Sequence, residues 1–161
     1  MIDKAIEQKM FDMAVELINR RFPQGWGGAG VVRTEDDCYF TSIYLDNIMD
    51  KMNTTLNLCI ETGAMIEAYK HNKRVTHCLC VSREDEDSPY EVLTPCGVCQ
   101  ERLRFWGGGV RVGATVPDGA LTFVALAELQ PYHWTTAKAF GEIEDYDFYQ
   151  RQEQEQEKQE G

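Results

Sequence analysis

Two cysteine motifs constrain this chain more than any other feature of its sequence. One is Cys59-Ile60-Glu61, and the other places Cys96 and Cys99 two residues apart, directly after Pro95. We expect Cys96 and Cys99 on the first turn of one helix and Cys59 on the first turn of another. Three thiolates leave one position of a tetrahedral zinc ion open, as a catalytic zinc requires.

Glu61 lies two residues beyond Cys59. At the start of a helix, this offset places the carboxylate beside the metal without forcing it to coordinate. Glu61 is therefore a candidate general acid and base that takes a proton from water and passes it to a substrate. The partial positive charge of a helix N-terminus would favour the thiolates.

Two other interpretations of the cysteines remain open at this stage. Cys96 and Cys99 resemble a thiol redox pair, although that motif normally follows the first strand of its domain and here comes late. A closed structural zinc site would need a fourth ligand. The candidates for that fourth ligand are Cys38, Cys78, Cys80, His71, His77 and His133.

The hydrophobic pattern predicts alternating helices and strands. Apolar residues at three- and four-residue steps indicate a first helix that ends before Phe22-Pro23. Further helices are predicted for 58–69 and 96–105, and strands for 29–33, 38–45, 75–81, 110–116 and 121–126. This order is typical of a mixed sheet covered by helices.

The charge of the chain excludes several classes of partner. The 161 residues carry a formal net charge of -11, and no basic face is rich enough for duplex DNA or anionic lipid. No apolar run is long enough for a membrane span, and the N-terminal stretch lacks the apolar region of a secretory signal. We therefore expect a cytoplasmic protein with a small-molecule ligand. The low-complexity tail predicts a solvated helix or disorder from Gln150 onward.

The paired motifs resemble those of the cytidine deaminase family, in its small form with three cysteine ligands. Its Cys-x-Glu motif is Cys59-Ile60-Glu61 here, and its Pro-Cys-Gly-x-Cys motif is the segment 95–99. Residues 26–42 are similar to the family's first hairpin, and residues 128–134 are similar to its closing segment. The resemblance covers about residues 5–134.

The resemblance implies a three-layer α/β/α sandwich with a mixed sheet of about five strands. It implies a deaminase domain over residues 1–134, an acidic extension over 135–161, and a homotetramer whose sites borrow residues from neighbouring copies. A zinc ion would be held by Cys59, Cys96 and Cys99. Glu61 would move protons while the amino group of a cytosine nucleoside, cytidine or deoxycytidine, is hydrolysed to ammonia and a uracil nucleoside.

The substrate positions implied by the resemblance depart from the family's usual residues. Trp26 replaces a Phe near the base, Tyr44 and Asp46 replace an Asn and a Glu that bind ribose, and Trp134 replaces a closing Phe. Ile60 is also expected beside the substrate. The Arg that often follows the Glu is Thr62 here.

These departures keep two alternatives to a plain cytidine deaminase open. One is a deaminase of modified cytosine nucleosides, similar to the blasticidin S deaminases, which also lack that Arg. The other is a non-catalytic, zinc-stabilised binding module.

Overall fold

Both cysteine motifs lie beside the central strand of one sheet. The computed structural model describes residues 2–45, 58–139 and 142–160. Its α-helices are α1 (Ile2–Arg21), α2 (Thr62–Lys70), α3 (Gly97–Leu103), α4 (Leu126–Leu129) and α5 (Tyr146–Glu160). Its strands are β1 (Gly27–Thr34), β2 (Tyr39–Ile43), β3 (Val75–Arg83), β4 (Glu91–Leu93), β5 (Arg111–Gly113) and β6 (Phe123–Ala125). Short 3₁₀ helices span Arg104–Trp106 and Trp134–Ala137.

The strands form one mixed sheet in the order β2-β1-β3-β5-β6. Strands β1 and β3 pair antiparallel along their whole length, whereas β3 and β5 pair parallel through His77 and Cys78. The far end of β3 pairs with β4. The predicted mixed sheet is confirmed, with β4, directly before Thr94-Pro95, as an additional strand that the sequence analysis did not predict.

Helices cover both faces of this sheet. On one face, Met10, Ala14 and Ile18 of α1 are completely buried against Leu79 and Val81 of β3. The apolar period in the sequence predicts this contact. On the other face, a second core joins α2 and α3 to the sheet; it includes Ala64, Ala68, Cys78, Cys99 and Leu103. The three-layer α/β/α sandwich is therefore confirmed.

The predicted start of α2 is wrong by four residues. Leu58 pairs with Leu45 through two backbone hydrogen bonds of 3.2 and 3.3 Å, so the chain is extended there. A turn at Ile60 and Glu61 follows, and the helix begins at Thr62. Cys59 therefore precedes the helix rather than lying on its first turn. Hydrophobic period could not reveal this because the extended pairing is with a distant segment.

The first half of the C-terminal helix α5 packs against the rest of the domain. Tyr146 donates its hydroxyl hydrogen bond to the Asn72 carbonyl (3.1 Å), Gln150 contacts the Asn72 side chain (3.0 Å), and Arg74 pairs with Asp147. Residues 152–159 are exposed, in agreement with a solvated helix. The division of the chain into 1–134 and 135–161 stays a prediction.

No helix in the described ranges has both the length and the apolar character that crossing a membrane demands.

Leu79 tests whether the layer between α1 and the sheet stabilises the fold. We expect Leu79→Ala to lower the free energy of unfolding by about 2–5 kcal/mol, because its completely buried side chain leaves a cavity. Tyr132, which is 95% exposed, serves as the control. Tyr132→Ala should change the free energy of unfolding by about 0.5 kcal/mol or less. Urea denaturation measures both variants, and equal effects would contradict this packing.

Candidate active site

Three cysteine sulfurs converge between the start of α3 and the turn before α2. The Sγ atoms of Cys59, Cys96 and Cys99 all lie within 4.8 Å of one another. The Sγ atoms of Cys59 and Cys96 are 3.5 Å apart. Cys96 is the N-cap of α3 and Cys99 lies inside its first turn, as the spacing predicts.

The donor set and its spacing fit a zinc ion. Thiolates bound to tetrahedral zinc at about 2.3 Å lie about 3.8 Å from one another, close to the spacing found here. Among the described residues, this cluster contains no histidine and no fourth cysteine. Three protein ligands leave a fourth position for water or substrate, which distinguishes a catalytic zinc from a closed structural one.

A buried carboxylate stands beside the sulfurs. The thiol of Cys99 donates to Oε2 of Glu61 across 3.4 Å, and Glu61 is only 4% exposed. Glu61 thus lies beside the three sulfurs, and its part in proton transfer stays a prediction.

The electrostatics of the cluster call for a cation. Burial raises the pKa of the Cys99 thiol well above its ordinary value, and the negative charge of Glu61 raises it further. Burial also raises the pKa of Cys59. Burial opposes ionisation of Cys96 too, but its pKa is lowered overall, with the backbone N–H groups of Cys99 and Val98 favouring the thiolate. Without a metal the three thiols resist ionising together, whereas a divalent cation offsets their charge.

The peptide of Glu61 is held by the hairpin. A Cβ atom at Gly30 of β1 would lie 2.9 Å from the Ile60 carbonyl oxygen and 3.0 Å from the Glu61 Cα atom. Ser42 of β2 donates a 2.5 Å hydrogen bond to that same carbonyl. Gly63 leaves room for the Ser42 side chain, whose Cβ would be 2.8 Å from an added one. The absence of a side chain at Gly30 and the hydroxyl of Ser42 thus fix the turn that carries the Glu61 carboxylate.

A pocket of about 240 Å³ opens in front of Glu61. Cys59 and Cys96 line its end at the sulfur cluster, and the predicted substrate residues Trp26, Tyr44 and Ile60 line its walls. The rings of Trp26 and Tyr44 meet edge to face with centroids 5.8 Å apart. The walls are mainly apolar and aromatic, which suits a flat heterocyclic ring.

The remaining pocket residues were not predicted as substrate residues. They are Cys80, Leu93 and Thr94. Thr94 adjoins Pro95-Cys96, so the motif's neighbourhood was a usable signal for it. Cys80 and Leu93 carried no such signal, because their place in the pocket depends on the pairing of β3 with β4.

Two further predicted substrate residues are Asp46 and Trp134. Asp46 is outside the described residues. Trp134 does not line this pocket; its indole N–H donates to Glu101 across 3.0 Å, and its ring is 59% exposed. Contact of Trp134 with the site of a neighbouring copy stays a prediction.

Two hydrogen bonds connect the segments around the motifs. Arg102 of α3 donates to the Thr62 hydroxyl across 2.9 Å, so it ties α3 to the first residue of α2. Gln100 donates to the Pro95 carbonyl across 2.8 Å and fixes the entry to α3. The helix that begins after Cys96 is thus connected by a polar contact to the residue directly after Glu61.

Zinc retention tests the cysteine cluster. We expect the purified chain to retain about one zinc per chain after gel filtration, and Cys96→Ser to lose most of it because one of three thiolates is removed. Cys38→Ser is the matched control, since Cys38 lies outside the cluster, and it should retain the metal. Elemental analysis measures the zinc content. Equal retention by both variants would contradict the ligand assignment.

Comparison with known proteins agrees with the geometry of the site. No protein-family model matches the chain. A cytidine deaminase structure from Bacillus anthracis is 48% identical, with a TM-score of 0.78 over 82% of this chain and 91% of that one. The fold also matches a cytidine deaminase from Mycobacterium leprae at 20% identity, with a TM-score of 0.55 over 75% of this chain and 97% of that one.

The Bacillus anthracis match combines high identity with nearly complete coverage of the related chain. The three-cysteine cluster stands where the two motifs meet. The chain belongs to the cytidine deaminase family.

Proposed function

We propose that this protein is a zinc-dependent aminohydrolase that converts a cytosine nucleoside, cytidine or deoxycytidine, to the uracil nucleoside with release of ammonia. One water molecule is consumed, and the C4 amino group is exchanged for a carbonyl oxygen. The observation that carries the proposal is the buried Glu61 carboxylate, 3.4 Å from the Cys99 sulfur and facing an aromatic-lined pocket.

Cys59, Cys96 and Cys99 would hold the zinc ion. When bound, zinc would lower the pKa of water at its open position and so supply a nucleophile near neutral pH. A non-catalytic zinc site would have no use for a buried carboxylate at this place. The retained Glu61 therefore supports an enzyme over a binding module.

Glu61 would carry the protons of the reaction. Its Oε2 atom, kept out of bulk water, would take a proton from the attacking water and deliver it to N3 of the ring. It would then take the proton of the new C4 hydroxyl group and pass it to the departing amino nitrogen, which leaves as ammonia. A carboxylate can do both because it exchanges one proton between acceptors within hydrogen-bond reach. The contacts of Gly30 and Ser42 with the preceding peptide would keep Oε2 within reach of both N3 and the amino nitrogen.

The pocket walls would orient the base. Trp26 would offer a ring face to the cytosine ring, with Ile60 as an apolar neighbour. The ribose end is where this chain departs from its family, because Tyr44 lines the pocket at the position of an asparagine.

That tyrosine favours a second candidate substrate class, a cytosine nucleoside with a modified sugar or N4 substituent. Its edge-to-face contact with Trp26 places an aromatic side chain where an amide would otherwise bind a ribose hydroxyl. The homotetramer and the cytoplasmic location expected from the resemblance stay predictions.

Release of ammonia, or of the substituted amine from N4-substituted nucleosides, tests both candidates across a substrate panel. The zinc-loaded chain is assayed with cytidine, deoxycytidine, and sugar-modified and N4-substituted cytosine nucleosides. Turnover of the plain nucleosides supports the first proposal, and turnover of the modified ones alone supports the second. Zinc without any release would contradict both.

Glu61→Gln tests the proton carrier. We expect turnover to fall by at least about 100-fold, because an amide of the same shape cannot exchange the proton. Its zinc content should be unchanged. Glu67→Gln makes the same chemical change farther along α2 and should keep full activity. A Glu61→Gln variant that still deaminates would eliminate this role.

Gly30→Ala tests the contact of Gly30 with the Glu61 peptide. We expect kcat/KM to fall by about tenfold to hundredfold, since the added methyl would push against the Ile60 carbonyl and displace the carboxylate. Gly109→Ala is the matched control, because an added Cβ there meets nothing within 4 Å. Steady-state kinetics on both variants, with circular dichroism to verify folding, decide the matter. Equal kinetics would show that the close approach is not needed.

A further inference from the structure

A second cavity, which shares no residue with the pocket around Glu61, is lined by basic side chains. It has a volume of about 220 Å³ and lies between residues 104–108 and the C-terminal segment after Thr135. Arg104, Lys138 and Arg151 line it, against the single carboxylate of Asp145. The whole chain has a net charge of -11, so this concentration of positive charge runs against its composition.

Arg104 has an unsatisfied group at this cavity. Its Nη2 atom donates to the Thr135 hydroxyl across 3.2 Å. Its Nη1 atom is buried and has no hydrogen-bond partner among the described residues. Gly108 makes room for that atom, since a Cβ there would lie 2.7 Å from Nη1. A guanidinium N–H group cut off from both water and protein acceptors costs free energy, and a turn of the Arg104 guanidinium toward an acceptor in the cavity would offset it.

The nearby carboxylate does not supply that acceptor. Asp145 accepts the backbone N–H of Phe148 across 2.9 Å at the start of α5. Lys138 is exposed and forms no ion pair within the part of the chain that the structure describes. Positive charge therefore exceeds negative charge on the walls of this cavity.

We propose that this cavity binds a small phosphate-type oxyanion, either inorganic phosphate or the phosphoryl group of a nucleotide. The planar donors of arginine match phosphate oxygens, and lysine adds a point charge. Within the described part of the chain no aromatic ring lines this cavity, in contrast to the pocket in front of Glu61, so its walls suit a phosphoryl group rather than a nucleobase.

A bound anion would connect two parts of the molecule. Arg104 continues the helical segment that begins at Cys96, whereas Lys138 lies in the segment that leads to α5. An oxyanion between them bridges the two cations and holds the C-terminal segment against the domain. Binding should therefore raise the thermal stability of the chain, by an amount that grows with the logarithm of the phosphate concentration above Kd.

Calorimetric titration with inorganic phosphate tests the site. The zinc-loaded full chain is titrated at constant ionic strength, beside Lys138→Gln and the matched control Lys158→Gln on the exposed end of α5. We expect saturable binding to the parent chain, unchanged in Lys158→Gln and weakened by about tenfold or more in Lys138→Gln, because a charge-assisted contact is lost. Since Lys138 is exposed, its variant should fold normally.

Two further titrations complete the test. Titration with adenosine monophosphate identifies the source: tighter binding than phosphate with the same Lys138 dependence indicates a nucleotide, and weaker binding indicates the free ion. Arg104→Lys, which keeps the charge but not the fork of donors, should also weaken binding. The proposal is overturned by absent saturation, or by a signal that Lys138→Gln leaves unchanged.

Discussion

The mutual repulsion of four acidic groups is the constraint on which the rest of this site depends. Three thiols and one carboxylate lie together, with the Cys99 sulfur 3.4 Å from the Glu61 carboxylate. Burial and the Glu61 charge both raise the pKa of Cys99, so this arrangement is unfavourable as a set of anions. A divalent cation turns that cost into attraction, and three ligands leave room for a substrate. The fold supplies the rigidity, through a sheet that fixes the turn before α2 and the start of α3.

Local sequence spacing predicted those features of the site that depend on local geometry. The two residues between Cys96 and Cys99 determine that both lie at the start of one helix. The period of Met10, Ala14 and Ile18 likewise predicts α1 and its buried face. The same rule failed at Leu58, because pairing with Leu45 competes there with helix formation. Strand β4 was missed because Thr94-Pro95 directly after it ends the apolar pattern, and the place of Leu93 in the pocket was missed with it.

The turn that carries Glu61 shows a second kind of information that the sequence does not display. Gly30, Ser42 and Gly63 are ordinary residues in their own segments, and none forms part of a motif. Their joint effect arises only when β1, β2 and the start of α2 meet, where one added methyl group would collide with the Glu61 backbone. The Arg102–Thr62 hydrogen bond is of the same kind, since it joins two helices that sequence spacing treats as independent. The exact position of the Glu61 carboxylate thus depends on packing between distant segments, whereas the motifs alone reveal which groups are reactive.

The proposed zinc site has three ligands, Cys59, Cys96 and Cys99, and one open position. X-ray absorption spectroscopy at the zinc edge measures the coordination of the metal-loaded chain directly. We expect three sulfur neighbours at about 2.3 Å and one oxygen or nitrogen at about 2.0 Å. Four sulfur neighbours, with Cys80 of the pocket wall as a candidate for the fourth, would indicate a closed site and contradict the proposed catalytic zinc.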